Sequence, residues 1–242
     1  MISLPIKRVS PVHDGQQIPL ALTTSELPSF SNFVVGLNDE VVMALRNFAR
    51  AEADSLIFLY GQAGTGVSHL LQASSHLAAE LGKKSLYLSL AEPGLNSKIL
   101  KDLDFIDHLY LDDVQSIAGD ENWEEDLFHL FNQFRDGNKC LLIAAKQLPE
   151  QLSVTLPDLK SRLSGMVRYH LKKLTDKEKS VAIIIKAQAL GLKLSSEVSN
   201  FILTRGPRDL RELMQCIHKL DQASMISKRA ITIPFVKQTL DW

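Results

Sequence analysis

Residues 61–71 read GQAGTGVSHLL. Gly61 and Gly66 stand five apart, a hydroxyl follows at Ser68, and an apolar run begins just after. Glycines let a backbone fold tightly and turn its amide N–H groups inward, and a helix starting near Val67 adds a partial positive charge. That is the chemistry of a phosphate cradle, with Ser68 placed to ligate magnesium. Val67 stands where such loops carry a lysine, a point charge on the β- and γ-phosphates. Its loss weakens a triphosphate more than a diphosphate, because the γ-phosphate depends on that lysine most. A second feature, HLYLDDV at 108–114, supplies two carboxylates. Mainly apolar residues deliver Asp112 to the C-terminal end of a strand, where it can hold magnesium through water. Asp113 would face an attacking water.

Both features depend on the elements that position them. SLIFLY (55–60) reads as a buried strand running into Gly61. Residues 68–81 read as a helix stopped by Gly82. Further strands are expected at 85–90, 108–113, 140–145 and 166–171. A helix is expected around 97–103. Another runs through NWEEDLFHLFNQFRDGNK, where Leu127, Leu130, Phe131 and Phe134 share a face and Gly137 ends it. Asn38 is placed to cap a helix carrying Val41, Val42, Leu45 and Phe48. Strands alternating with helices predict an α/β fold, a central parallel sheet covered by helices on both faces.

After residue 174 the strand signals cease. Thr175 and Glu178 have capping-box spacing, and Val181, Ile184, Ile185 and Ala189 repeat at helical intervals. Helices near 197–204 and 208–227, and one beginning near Pro234, complete a small helical bundle. The expected division is an N-terminal segment at 1–27, an α/β nucleotide-binding domain at 28–174 and a helical domain at 175–242.

The charge is nearly balanced, with 27 Lys and Arg against 28 Asp and Glu. That argues against a dedicated DNA binder, which carries a basic excess. No apolar run approaches a membrane span, and no signal peptide is evident, so a cytoplasmic protein without membrane contact is expected. Cys140 and Cys216 are far apart in apolar company and read as buried free thiols.

The phosphate loop, the strand ending in two aspartates and the helical C-terminal part together resemble an AAA+ ATPase domain. Three segments resemble the DnaA initiator family in particular. NFVVGLNDE (32–40) is similar to its N-terminal box, LDDVQSIAGDENWEEDLF (111–128) to its second nucleotide motif, and PDLKSRLSG (157–165) to its arginine-finger box. IAGDENWE and ITIPFVKQTL are similar to the short regulatory members, which lack the DNA-binding domain. The resemblance covers residue 28 to the end.

It implies an AAA+ fold with a helical lid and a site for an adenine nucleotide. Phe33, Val34 and Val35 would line the base and sugar pocket. Gly61, Gly64, Thr65, Gly66, Val67, Ser68 and His69 would wrap the phosphates, with Arg211 reaching them from the lid. Ser68 and Asp112 would hold magnesium. Arg162 would be a trans arginine finger, pointing into a neighbour's nucleotide site. The N-terminal Ile2, Ser3, Leu4, Pro5 and Ile6 resemble the peptide by which such regulators bind the DNA polymerase III sliding clamp (its beta subunit), docking as an extended segment. Met1 precedes Ile2 directly, so the glutamine that leads such peptides is missing.

The pattern is broken in three places. Val67 replaces the loop lysine, Lys146 follows CLLIAA where the family has an acidic residue, and Asp113 stands where many AAA+ enzymes have glutamate. Together they predict poor intrinsic hydrolysis and a diphosphate, ADP, as the resting ligand. The expected function is negative regulation of replication initiation: the protein docks on the clamp, meets DNA through it, and stimulates hydrolysis of ATP held by DnaA. An autonomous AAA+ ATPase such as a helicase loader is the alternative, with Val67 and Lys146 against it. An origin-DNA binder is disfavoured by the near-zero charge and by a chain that ends at Trp242 just after the lid. AAA+ surfaces also self-associate, so a homo-oligomer that hides Arg162 is conceivable.

Overall fold

Apolar five- and six-residue runs set the architecture. In the computed structural model, which describes residues 27–52 and 54–242, they form a five-stranded sheet. The strands are β1 (Leu56–Tyr60), β2 (Ser85–Ser89), β3 (His108–Asp112), β4 (Cys140–Ala145) and β5 (Val167–His170), in the order β2-β3-β4-β1-β5. Every pairing is parallel, with Phe58 opposite Ile143 and Leu109 opposite Leu141. Parallel neighbours need crossovers, and these carry α2 (Val67–Glu80), α3 (Glu121–Asp136) and α4 (Pro157–Ser164). A further helix, α1 (Asp39–Arg50), precedes β1 and packs on α2.

Side chains alternate along each strand, so β4 feeds two cores. Leu141 and Ile143 join Leu127, Leu130, Phe131 and Phe134 of α3 on one face. Leu142 and Ala144 join Leu45, Phe48, Leu70 and Leu71 of α1 and α2 on the other. This is the doubly covered α/β sheet that the strand pattern predicts.

Beyond the sheet, α5 (Asp176–Ala189), α6 (Ser196–Arg205), α7 (Leu210–Ser227) and α8 (Ile233–Leu240) enclose a separate core of Ile183, Ile202, Leu213, Ile217, Leu220 and Val236. The Thr175–Glu178 capping box is present: the Thr175 N–H donates to Glu178 Oε2 at 2.6 Å, and the Glu178 N–H to Thr175 Oγ1 at 3.4 Å.

Several local expectations are corrected. Asn38 occupies the N-cap position of α1 but makes no side-chain cap bond. Its amide instead donates to the carbonyls of Val35 and Lys172, and its Oδ1 accepts from the Lys172 N–H at 2.8 Å. It ties the entry of α1 to the chain leaving β5, a long-range pairing that local spacing does not encode. The helix expected around 97–103 is only a 3-10 turn at Ser97–Leu100, after which Asp102 adopts a left-handed φ of 59° that stops helix propagation. On α5 the core face is Ala182, Ile183 and Ala187, not Val181, Ile184, Ile185 and Ala189. The run AIII at 182–185 is apolar on more than one side, so periodicity alone leaves its rotation open. Helix α7 starts at Leu210, two residues later than expected, because Asp209 caps it by accepting from the N–H groups of Arg211 and Glu212. Helix α4 carries no periodic signal strong enough to announce it. Pro157 starts it, and Leu159 and Leu163, four apart, hold it down with no exposure. Cys140 is buried and Cys216 half-buried; both are free. Among the described residues no helix is long and apolar enough to cross a membrane.

Candidate nucleotide-binding site

The loop between β1 and α2 begins where the Gly61 N–H donates to the Ala145 carbonyl at 3.1 Å. Gly64 and Gly66 take φ of +77° and +98°, a region costly for residues with a Cβ. Space is equally tight: a Cβ on Gly66 would lie 2.8 Å from the Phe33 ring, and one on Gly64 would collide with the Asp209 carboxylate. The lid and the NFVVG segment thus press on the loop from two sides. Gly66 is the N-cap of α2, with no side-chain cap bond and no acid in the first turn. By contrast α3, α5, α6, α7 and α8 are all capped by side chains, from Asp120, Thr175, Ser195, Asp209 and Thr232. The first-turn N–H groups of α2 therefore have no side-chain acceptor, a donor set that fits a polyphosphate. Thr65 is buried and spends its hydroxyl on the Gln62 carbonyl at 2.8 Å.

Asp112, at the end of β3, is 3% exposed. It accepts from Tyr87 Oη at 3.0 Å and from the Asp113 N–H at 2.8 Å. Burial raises its pKa and the neighbouring Asp113 adds to the rise, while the Ser68 hydroxyl, Tyr87 and the Asp113 amide oppose it. Tyr87 is pushed up to about 12 by burial and by Asp112. Ser68 and Asp112 thus sit together, a hydroxyl and a carboxylate of the kind that hold magnesium. Asp113 adopts φ 56° and is engaged: Gln115 Nε2 donates to its Oδ1 at 2.6 Å, and Lys146 Nζ lies 3.5 Å from the same oxygen.

Two clefts meet at this loop. The larger, about 700 Å³, is lined by Gly61, Gly64, Gly66, Val67, Ser68 and His69, with Asp112, Asp113 and Lys146 on one side and Arg211 on the other. The smaller, about 280 Å³, is lined by Phe33, Val34, Thr65 and lid residues including Ile185, Lys186, Met214 and His218. Val35 does not line it but packs on the core beside α2. His69 touches both clefts, yet its ring is spent on the wall: Nε2 is 2.9 Å from the Ser29 carbonyl, and the ring tilts against Phe33 at 5.5 Å. Burial, with Lys186 nearby, lowers its pKa despite the Ser29 bond.

Lys186 and His218 bring polar groups into the smaller cleft that sequence reasoning did not name. A lone lysine in α5 and a lone histidine in α7 carry no motif; only the packing of the two helices brings them to one cleft.

Arg162 lies in the last turn of α4, exposed, with no ion pair among the described residues. The start of that helix is fastened by Glu124, which is 1% exposed. Its carboxylate accepts from the N–H groups of Gly119, Thr155 and Leu156 and from Thr155 Oγ1, at 2.7–3.1 Å. Burial pushes its pKa up, but those bonds outweigh burial and hold it below the usual range. Nothing in the sequence singles out Glu124; its burial is visible only in the fold. Ile2–Ile6 lie outside the described residues.

Residues 25–169 match the family model of the bacterial DnaA ATPase domain, and residues 176–240 match that of the Hda lid domain. An uncharacterized protein of Haemophilus influenzae is 34% identical over 229 residues, spanning 94% of this chain and 99% of its own. Domain III of the Thermotoga maritima replication initiation protein DnaA superposes with a TM-score of 0.78 at 25% identity, over 88% of this chain and 95% of that one. AMPPCP-bound DnaA from Aquifex aeolicus gives a TM-score of 0.68 at 29% identity, over 84% of this chain and 67% of that one. The sheet order, the loop and the helical lid are thus those of an AAA+ domain, and the chain belongs to the DnaA-homologous AAA+ family, as a Hda-like member.

Proposed function

We propose that this DnaA-related replication regulator holds a nucleotide without consuming it and acts on a nucleotide held by another protein. The observation that carries the reading is the setting of Arg162. It is exposed and free of ion pairs among the described residues, on a helix whose Leu159 and Leu163 are fully buried. A guanidinium held out in this way suits the developing charge on a γ-phosphate in a neighbour's site. The neighbour in this reading is the DnaA initiator carrying ATP.

The chain's own cleft supports the holding role. The loop glycines and the uncapped start of α2 would receive the phosphates, Arg211 would meet them from the lid, and Phe33 and Val34 would face the base and sugar. Ser68 and Asp112 would take magnesium, which supplies charge neutralisation when bound. Val67 brings no charge, and Asp113, the acid beside the site, is engaged by Gln115. This favours ADP as the resident ligand. Ile2–Ile6 would tether the protein to the sliding clamp and so bring it to DNA.

The test is hydrolysis of DnaA-bound ATP with and without clamp-loaded DNA. Stimulation is expected from wild type, and it is expected to vanish in Arg162→Ala and to weaken in Leu4→Ala. An autonomous ATPase would instead turn over ATP without DnaA, and stimulation by Arg162→Ala equal to wild type would overturn the finger role.

A further inference from the structure

Val67 leaves the loop without its usual cation, since its side chain packs against the core face that includes Leu70 and Leu71. A different cation stands beside the loop. Lys146 follows β4 directly, and the strand order puts β4 between β1, which carries the loop, and β3, which carries the two acids. The residue before it, Ala145, accepts the hydrogen bond of Gly61, the first residue of the loop. On the other side the Lys146 N–H donates to Gln115 Oε1 at 3.1 Å, which fixes the backbone there. Lys146 lines the same cleft as Gly64, Gly66 and Ser68. Its side chain is 60% exposed, and its one ion pair among the described residues, to Asp113 at 3.5 Å, is long. Such a pair is weak and easily exchanged for a stronger anion.

We propose that Lys146 is the phosphate-binding cation of this cleft, standing in from β4 for the lysine that position 67 lacks, and that its ligand is the polyphosphate tail of a nucleoside di- or triphosphate. The inference rests on the reading of the cleft as a nucleotide site. The geometry gives it a second consequence. Asp113 and the phosphate tail compete for one ammonium, so occupancy releases Asp113 to Gln115 alone.

The experiment titrates ADP, and separately AMPPCP, with magnesium into the full chain, for wild type, Lys146→Ala and Val67→Lys/Lys146→Ala. Removing one charge-assisted contact is expected to weaken both ligands roughly tenfold to a hundredfold, and the double variant is expected to regain most of that loss. Asp113→Asn, which frees the ammonium in advance, is expected to bind a few-fold tighter at low salt. Unchanged affinity in Lys146→Ala overturns the inference. So does a loss that Val67→Lys fails to restore, which would mark Lys146 as a support for the fold around Asp113. If wild type binds neither ligand, the nucleotide reading falls and takes this inference with it. Tight wild-type binding indifferent to Lys146 overturns the inference alone.

Discussion

Two arginines at helix ends are both exposed and both without an ion pair among the described residues, and they differ in what they border. Arg211 sits in the first turn of α7 and lines the cleft over the phosphate loop. Arg162 sits in the last turn of α4, exposed and with no carboxylate partner among the described residues. In the proposed function the first would meet what the chain itself holds and the second would act on something outside it. That reading separates holding from acting, and the separation can be attacked at each end.

The largest expected effect is at Arg162. Replacing it by alanine should lower stimulated hydrolysis of DnaA-bound ATP by about 10³-fold, the smaller end of what a trans arginine supplies, with its own ADP affinity unchanged. Arg162→Lys should recover little of this, since an ammonium cannot reproduce the planar fork. Equal damage to both readouts would break the comparison.

Next comes Glu124→Ala. It strands the donors of Gly119, Thr155 and Leu156 inside the protein and should cost about 3 kcal/mol in urea unfolding. It should also lower Arg162-dependent stimulation, because Thr155 and Leu156 lead into α4, while ADP binding persists. Third, Arg211→Ala should weaken ADP binding about tenfold in a calorimetric titration and leave α4 untouched.

The smallest effect is in pH. The folded pKa of Glu124 is depressed, so its contribution is fully present above the unfolded value of about 4.3 and is lost as pH falls through the lower folded value. Chemical denaturation of wild type should therefore show stability falling across that acidic window. Glu124→Gln should be less stable at neutral pH and show a shallower acid slope.

The sheet and the loop were legible from sequence for a physical reason. Runs such as LIFLY and CLLIAA are apolar at nearly every position, and only a strand covered on both faces wants that. The glycines of the loop announce backbone shapes that other residues resist. Legibility failed where a side chain's partner is far away in sequence. Asn38 meets Lys172, Glu124 meets Thr155, and Lys186 and His218 border one cleft from two lid helices. The core face of α5 is not legible because the run AIII is apolar on more than one side. Arg162 was identified through the likeness of its whole segment; its exposure and lack of an ion-pair partner belong to the fold.

The roof over the loop has a kinetic meaning. Asp209 abuts Gly64 and Phe33 abuts Gly66, so the loop is covered by pieces of chain nearly two hundred residues apart. In the proposed function a ligand lodged beneath them would leave only if α7 lifted. Its residence time would then be set by how tightly four helices pack, and the lid would work as a clock whose ticking rate can be changed without altering a single contact to phosphate.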